Sequence, residues 1–345
     1  MPYLTMGDPS YDATVEYAIG MIDAGADLLE IGIPFSDPTA DGPVIQAAMV
    51  RSLAATEFTM EGLFAAVERI HTARPEVPLV FLGYMNPILN GLAASVAYGR
   101  ADFSKPAADR LQYDARGALS AFLERCQKAG VRGLVIPDLP FDAPESETLR
   151  EIGEELGVSQ ILMVAPNTGD ARLQAICRAA RGFIYYVTSL GVTGMRSELP
   201  PDLAERIALV QRESGLPVFA GFGFSEPGQV AGLVGKVDGI IVGSRNHQII
   251  EELGDVAGTA LVELTRGFAS ARCVLNSTGP ASGAQALEQP GAAIRLIGPS
   301  PAFFGKSVVK PPARPNCQDY AEDPRLCPDR DSARSPGPDS SRFCF

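Results

Sequence analysis

Residues 28–43, with the sequence LLEIGIPFSDPTADGP, change character partway along and so mark the end of a strand. The first six residues have the length and apolar composition of a buried β-strand, which the Gly-, Pro- and Asp-rich remainder cannot continue. Glu30 lies inside the apolar run, where an ionised carboxylate is costly to bury, and Asp41 lies at the far side of the loop. Two carboxylates in such different environments can form an acid/base pair. The alternatives are a buried acid paired with an arginine or a backbone amide at position 30, and an Asp-Gly turn at position 41.

Seven further strand-length apolar runs alternate with amphipathic helical patterns along the chain. Eight strands alternating with helices predict an α/β fold, a parallel (β/α)8 TIM barrel closed on itself. An open dinucleotide-binding sheet is disfavoured because the turn at residues 7–10 lacks the Gly-x-Gly-x-x-Gly spacing. Besides the run that carries Glu30, the predicted strands are residues 3–6, 79–83, 133–136, 160–164, 183–187, 218–220 and 239–242.

The predicted catalytic domain covers residues 1–272, and two regions depart from the barrel pattern. Residues 91–115 lack a clean period and predict a long loop insertion after the third strand. The helix after Ser244 is expected to end near Ala271, and residues 273–345, rich in Pro, Gly, Ser and Arg, predict a disordered tail. Cysteines in the tail could form a small metal or disulfide module, but their spacing fits no zinc pattern. They are Cys273, Cys317, Cys327 and Cys344, whereas Cys126 and Cys177 are expected on the apolar faces of helices.

Composition and charge exclude several classes of partner and location. The 345 residues carry a formal net charge of -12, which argues against nucleic acid or an anionic membrane as partner. No signal peptide and no apolar stretch long enough to span a membrane is recognisable. Cysteine usage without Cys-x-x-Cys spacing fits a reducing compartment, so we expect a cytoplasmic protein without a metal site.

Small residues follow the last three predicted strands and predict a phosphate site. Gly194, Gly223, Gly243 and Ser244 come from loops that meet at the C-terminal face of a barrel. Glycine lets backbone N–H groups approach an anion there, and a helix N-terminus adds its partial positive charge. The alternative is that these glycines only serve tight turns.

The run at residues 28–43 resembles the signature of the tryptophan synthase alpha chain family, and the resemblance extends from about residue 3 to residue 271. It implies that Glu30 and Asp41 are the catalytic pair, that the glycines and the serine above bind the glycerol phosphate, and that residues 189–200 form a lid. Apolar residues at strand ends, on the same face as Glu30, would line an indole pocket, or they are simply core. They are Tyr3, Leu82, Tyr84, Thr193 and Phe222.

The implied reaction is retro-aldol cleavage of indole-3-glycerol phosphate to indole and glyceraldehyde 3-phosphate. No lysine ends a predicted barrel strand, which disfavours a Schiff base. His71 and His247 are expected to be solvated helix residues without a clustered acid or cysteine, which disfavours zinc. Acid/base chemistry by Glu30 and Asp41, with no cofactor in this chain, remains.

The resemblance also implies a partner, a pyridoxal-phosphate-dependent beta chain in an α2β2 complex that docks on residues 34–41. The 91–115 insertion emerges on the same face, where it could hinder, alter or replace that contact. We also expect two departures from the family: the absence of its N-terminal helix, and Arg245-Asn246-His247 after the Gly-Ser pair. Three other functions stay open: a stand-alone indole-releasing lyase, a weakly catalytic regulatory subunit, and another phosphate-binding barrel enzyme.

Overall fold

The computed structural model describes residues 1–55, 57–91, 114–187, 203–221, 223–233 and 235–277. These residues form an eight-stranded parallel sheet whose strands are neighbours in sequence order. The strands are β1 (Tyr3–Thr5), β2 (Leu29–Gly32), β3 (Leu79–Leu82), β4 (Val131–Val135), β5 (Ser159–Val164), β6 (Ile184–Val187), β7 (Val218–Gly221) and β8 (Gly239–Ile241).

Backbone pairing between the two ends of the sheet closes it into a barrel. Pro2 forms a parallel bridge with Val242. The Tyr3 N–H donates to the Val242 carbonyl at 2.9 Å, and the Val242 N–H donates to the Met1 carbonyl at 3.0 Å. The predicted (β/α)8 barrel is therefore confirmed.

Helices follow the strands and cover the outside of the sheet. Local capping defines several of their starts, since the side chains of Ser10, Thr59 and Asp114 each accept a backbone N–H three residues on. The helices are α1 (Tyr11–Asp23), α2 (Pro43–Ala55), α3 (Met60–Ala73), α4 (Met85–Asn90), α5 (Ala115–Lys128), α6 (Pro144–Leu156), α7 (Asp170–Ala179), α8 (Leu203–Ser214), α9 (Ser244–Leu253) and α10 (Gly258–Ser277), with 3-10 turns at Pro227–Leu233 and Gly254–Val256.

The strands separate two apolar layers. Residues such as Leu29 and Phe81 pack outward against the helices. Glu30 is in register with Tyr3 on one side and Val80 on the other, and registered neighbours in a sheet point to the same face. That face is the barrel interior, where side chains from most of the strands meet: Tyr3, Leu28, Val80, Leu82, Val135, Ile161 and Phe183, with Met163, Tyr185 and Phe219 packed against them.

Several predicted details differ from the structure. The predicted single helix after Ser244 is two helices, α9 and α10, separated by a 3-10 turn, and α10 extends to Ser277, beyond the predicted end at Ala271. The predicted loop at 91–115 ends one residue early, because Asp114 caps a helix that begins at Ala115. Residues 92–113, like 278–345, lie outside the described residues, so the insertion and the disordered tail stay predictions.

The prediction that both histidines are solvated is wrong. His247, on α9, is fully buried against Asp8 and Thr5. His71, on α3, is half-buried with its ring against Gly130. The helix α9 turns His247 toward β1, whereas His71 packs against the turn between α5 and β4. The prediction for Cys126 and Cys177 is confirmed, since both are buried free thiols.

Within the described ranges, no helix is both long enough and apolar enough to cross a membrane.

Candidate active site at the carboxyl ends of the strands

Glu30 is a buried acid without a hydrogen-bond partner. Its side chain, on β2, is completely inaccessible to solvent, and neither carboxyl oxygen has a hydrogen-bond partner among the described residues. Burial, and next the negative charge of Asp41, raise the pKa of Glu30 to about 8. The alternative of a paired structural acid therefore fails, and the group is protonated at neutral pH, ready to give a proton.

Asp41 is held in place by its neighbours, so it is more than a turn residue. The Tyr84 hydroxyl donates to Asp41 Oδ2 at 2.6 Å and accepts the Ala40 N–H at 3.0 Å. The Gln46 side-chain amide donates to the Asp41 carbonyl at 2.9 Å. Burial raises the pKa of the half-buried Asp41, and the hydrogen bond from Tyr84 opposes that rise by favouring the carboxylate.

The structure brings together the described members of the predicted apolar pocket. Tyr3, Leu82 and Tyr84 belong to the interior layer that contains Glu30. Sequence reasoning missed Phe35, whose ring centroid lies 5.2 Å from that of Tyr84, and Tyr185, on β6. Tyr185 packs against the interior layer, and burial and then the negative charges of Glu30 and Asp41 raise its pKa. Phe35 follows Pro34 and lies between Glu30 and Asp41 in the sequence, so it could have been predicted as a pocket residue.

An uncapped helix N-terminus follows β8. Gly243 precedes α9, Ser244 is its first residue, and no side chain caps this end. Gly223 follows the neighbouring β7 and has a φ of 66°, which favours glycine. Free backbone N–H groups at such an end attract anions. Gly194, Thr193, Phe222 and the lid at 189–200 lie outside the described residues.

Metal ligands are not grouped anywhere in the described part of the chain: no cluster of three or more His, Cys, Asp or Glu side chains is arranged to hold an ion.

The fold and the site define a (β/α)8-barrel enzyme with two acids and glycine-containing turns at the carboxyl ends of the strands. The family model described as "Tryptophan synthase alpha chain" matches residues 1–101 and 114–272. The chain belongs to the tryptophan synthase alpha chain family, and it is therefore a lyase of tryptophan biosynthesis.

Individual relatives agree with this assignment. The chain is 42% identical over 260 residues to the tryptophan synthase alpha chain of Leptospira biflexa serovar Patoc, covering 75% of this chain and 88% of that protein. The crystal structure of the alpha chain from Legionella pneumophila superposes with a TM-score of 0.64 at 28% identity, covering 80% of this chain and 92% of that one. A Pyrococcus furiosus structure, from work on mutual activation of the tryptophan synthase a2b2 complex, also gives 0.64, at 31% identity with 77% and 96% covered.

Proposed function

We propose that this chain cleaves indole-3-glycerol phosphate to indole and glyceraldehyde 3-phosphate by acid/base catalysis without a metal. The observation that carries the proposal is Glu30, a neutral and unpaired acid in the barrel interior whose pKa is raised to about 8. Family membership supplies the substrate.

Glu30 performs both proton transfers. Its carboxylic acid protonates the indole carbon that bears the glycerol chain, which leaves positive charge on the ring nitrogen. The resulting carboxylate then removes the proton of the adjacent chain hydroxyl as the carbon–carbon bond breaks. The bonding electrons return to the ring, the hydroxyl carbon becomes an aldehyde, and Glu30 is again protonated. No net proton is taken up, so one residue suffices.

Asp41 acts electrostatically on the ring nitrogen. Its carboxylate accepts the indole N–H and stabilises the positive charge that develops there, an interaction that strengthens toward the transition state. The hydrogen bond from Tyr84 supports this role by favouring the ionised form of Asp41.

The two ends of the substrate have different surroundings. The flat indole ring would lie against the apolar interior layer with Tyr3, Leu82 and Tyr84, joined by Thr193 and Phe222. The phosphate would bind the backbone N–H groups around Gly223, Gly243 and Ser244, joined by Gly194. The uncapped start of α9 supports this end of the site.

A beta chain that carries pyridoxal phosphate would be the partner, in an α2β2 complex. The Pyrococcus furiosus relative, whose title names an a2b2 complex, supports a partner of this kind. The family match is interrupted between residues 101 and 114, inside the insertion predicted to emerge on the docking face.

Indole release from indole-3-glycerol phosphate by the full chain, measured with and without a beta chain, tests the proposal. We expect release by the chain alone and faster release with the beta chain present. Release that a beta chain leaves unchanged would support the stand-alone lyase, and no release in either condition would contradict the proposed reaction.

A further inference from the structure

A row of hydrogen-bonded polar side chains runs from behind the proposed site to Tyr3, and its hydrogen bonds have no part in the proposed reaction. It links Asp8, after β1, to His247 on α9, then to Thr5 and Tyr3 on β1. Asp8 and His247 have fully buried side chains, and Thr5 is inaccessible as well. Burying polar side chains costs free energy unless each one is hydrogen-bonded. The donor and acceptor in each of these hydrogen bonds can therefore be worked out.

One backbone group fixes the protonation of His247. The Thr5 N–H, which can only donate, lies 3.1 Å from Nε2, so Nε2 is an acceptor and carries no hydrogen. Burial lowers the pKa of His247, consistent with a neutral ring. Its one ring hydrogen therefore lies on Nδ1 and points at Asp8 Oδ2, 3.0 Å away.

Asp8 is ionised and accepts the hydrogen bond from His247 Nδ1. Arg51 donates to it twice, from Nε at 3.0 Å and from an Nη at 2.9 Å. Burial alone would raise the pKa of Asp8, but the hydrogen bonds from His247 and Arg51 hold it below its ordinary value. The Asp8 end of the row can therefore only accept.

The donor and acceptor roles of Thr5 and Tyr3 follow from the protonation of His247. Because Nε2 has no hydrogen, the Thr5 hydroxyl is the donor in the 3.3 Å hydrogen bond between Thr5 Oγ1 and Nε2, and it shares the single lone pair of Nε2 with the Thr5 N–H. Thr5 has only that hydrogen to give, so in its 3.3 Å contact with Tyr3 it accepts the phenolic O–H. The Tyr3 hydrogen is thus committed to Thr5, and the remaining lone pair of the Tyr3 oxygen is available to accept.

Tyr3 lies between the turn before α9 and the strand that carries Glu30. A methyl group at Gly243 would stand 3.3 Å from Tyr3 Cδ1, and one at Gly32 would collide with the Tyr3 hydroxyl. The side chain therefore reaches from the turn before α9 to the strand of Glu30, with which Tyr3 is in register. It covers the interval between the proposed phosphate end and the acid.

We propose that the Tyr3 oxygen accepts a hydrogen bond from a chain hydroxyl of the bound substrate, and that Asp8, His247 and Thr5 are the positioning residues that fix it as an acceptor. This inference rests on the proposed function for the position of the substrate chain. It assigns Tyr3 a specificity role, selecting ligands that carry a hydroxyl between an aromatic ring and a phosphate.

The test compares binding of two ligands in the non-cleaving Glu30→Gln background, by calorimetry. One is indole-3-glycerol phosphate, and the other is the analogue whose propyl phosphate chain lacks both hydroxyls. Tyr3→Phe and Thr5→Val should each weaken the hydroxylated ligand about tenfold and the analogue less than about twofold, with no further loss in the double variant. Tyr17→Phe and Thr265→Val, which remove buried hydroxyls that donate to backbone carbonyls elsewhere, should change neither.

Equal weakening of both ligands, or of neither, would overturn the inference. A second measurement needs no substrate: long-range ¹H–¹⁵N NMR of the wild-type chain should show His247 protonated on Nδ1 only, and a hydrogen on Nε2 would also overturn it. Failure of the wild-type chain to release indole, with ligand discrimination retained, would contradict the proposed reaction and leave the Tyr3 contact supported.

Discussion

The Tyr84 hydroxyl donates a 2.6 Å hydrogen bond to Asp41 Oδ2 while it accepts the Ala40 N–H at 3.0 Å. One side chain at the end of β3 therefore holds both the position and the charge of a carboxylate in the loop after β2. A loop acid alone would turn with its backbone, whereas this one is fixed relative to the barrel. The preorganised charge is the form in which an acid contributes most to a transition state.

Replacing Tyr84 with phenylalanine should weaken catalysis through Asp41. Without the donor, burial alone acts on Asp41 and its pKa rises further, so less of it is ionised at neutral pH. We expect kcat for indole release to fall about tenfold with a smaller change in KM, from the loss of one charge-assisted hydrogen bond. Tyr17→Phe is the matched control, and equal losses in both variants would show that Tyr84 is only structural.

The pH dependence of indole release should have an alkaline limb set by Glu30. The reaction begins with the protonated acid, so kcat/KM should fall as pH rises through about 8. Asp41 must be ionised, so activity should also fall at acid pH, below the raised pKa of that residue. A profile that stays flat through the alkaline range would mean that Glu30 is not the proton donor.

Glu30 should also lower stability as pH rises. Between its ordinary pKa of 4.5 and about 8, the unfolded chain loses this proton while the folded chain keeps it. The free energy of unfolding then decreases with pH across that window, by about 1.4 kcal/mol per unit of pKa shift at most. Glu30→Gln does not titrate, so its stability relative to wild type should increase from pH 4.5 to about 8 in denaturant titrations.

The exposed Glu154, on α6, provides the control for this effect. The free energy of unfolding of Glu154→Gln should change with pH in the same way as that of wild type over this window. If the free energy of unfolding of Glu30→Gln also follows that of wild type, burial does not keep Glu30 neutral. That result would contradict its role as the proton donor.

A negative charge at the start of α9 should interfere with phosphate binding and leave the fold intact. Ser244→Asp puts a carboxylate at a helix N-terminus, where it favours the helix but competes with an anionic ligand. We expect KM to rise at least about tenfold with a small change in kcat, whereas Ser244→Ala, which keeps the backbone N–H, should stay close to wild type. An unchanged KM in Ser244→Asp would place the phosphate elsewhere.

Much of the fold could be predicted from the sequence because each barrel strand is a short apolar run between turn residues. The sequence could not show which side chains point into the barrel. Both faces of these strands are buried, so apolar and polar residues do not alternate along them. Tyr185 and Tyr186 are adjacent aromatics of the same run, and only register places Tyr185 in the interior layer and Tyr186 among the outward residues. Glu30 was recognisable because an acid inside an apolar run is unusual, whereas Asp41 was recognised through the resemblance of its loop to the family signature.

His247 illustrates what the sequence could not provide. A histidine in a helical segment is usually solvated, and its partner Asp8 lies 239 positions away in the chain. Only closure of the barrel, which brings α9 against the end of β1, makes the two neighbours. The prediction failed because the contact that buries this residue is tertiary, and no local pattern encodes it.

The most direct measurement is single-turnover indole release by Glu30→Gln against wild type, with folding checked by circular dichroism. The amide keeps the shape of the side chain but cannot give or take the proton, so release should fall by about 10² to 10⁴-fold in a folded protein. Indole release by Asp41→Asn should also be slower by orders of magnitude, although the variant remains folded. Release at the wild-type rate by folded Glu30→Gln would contradict the account.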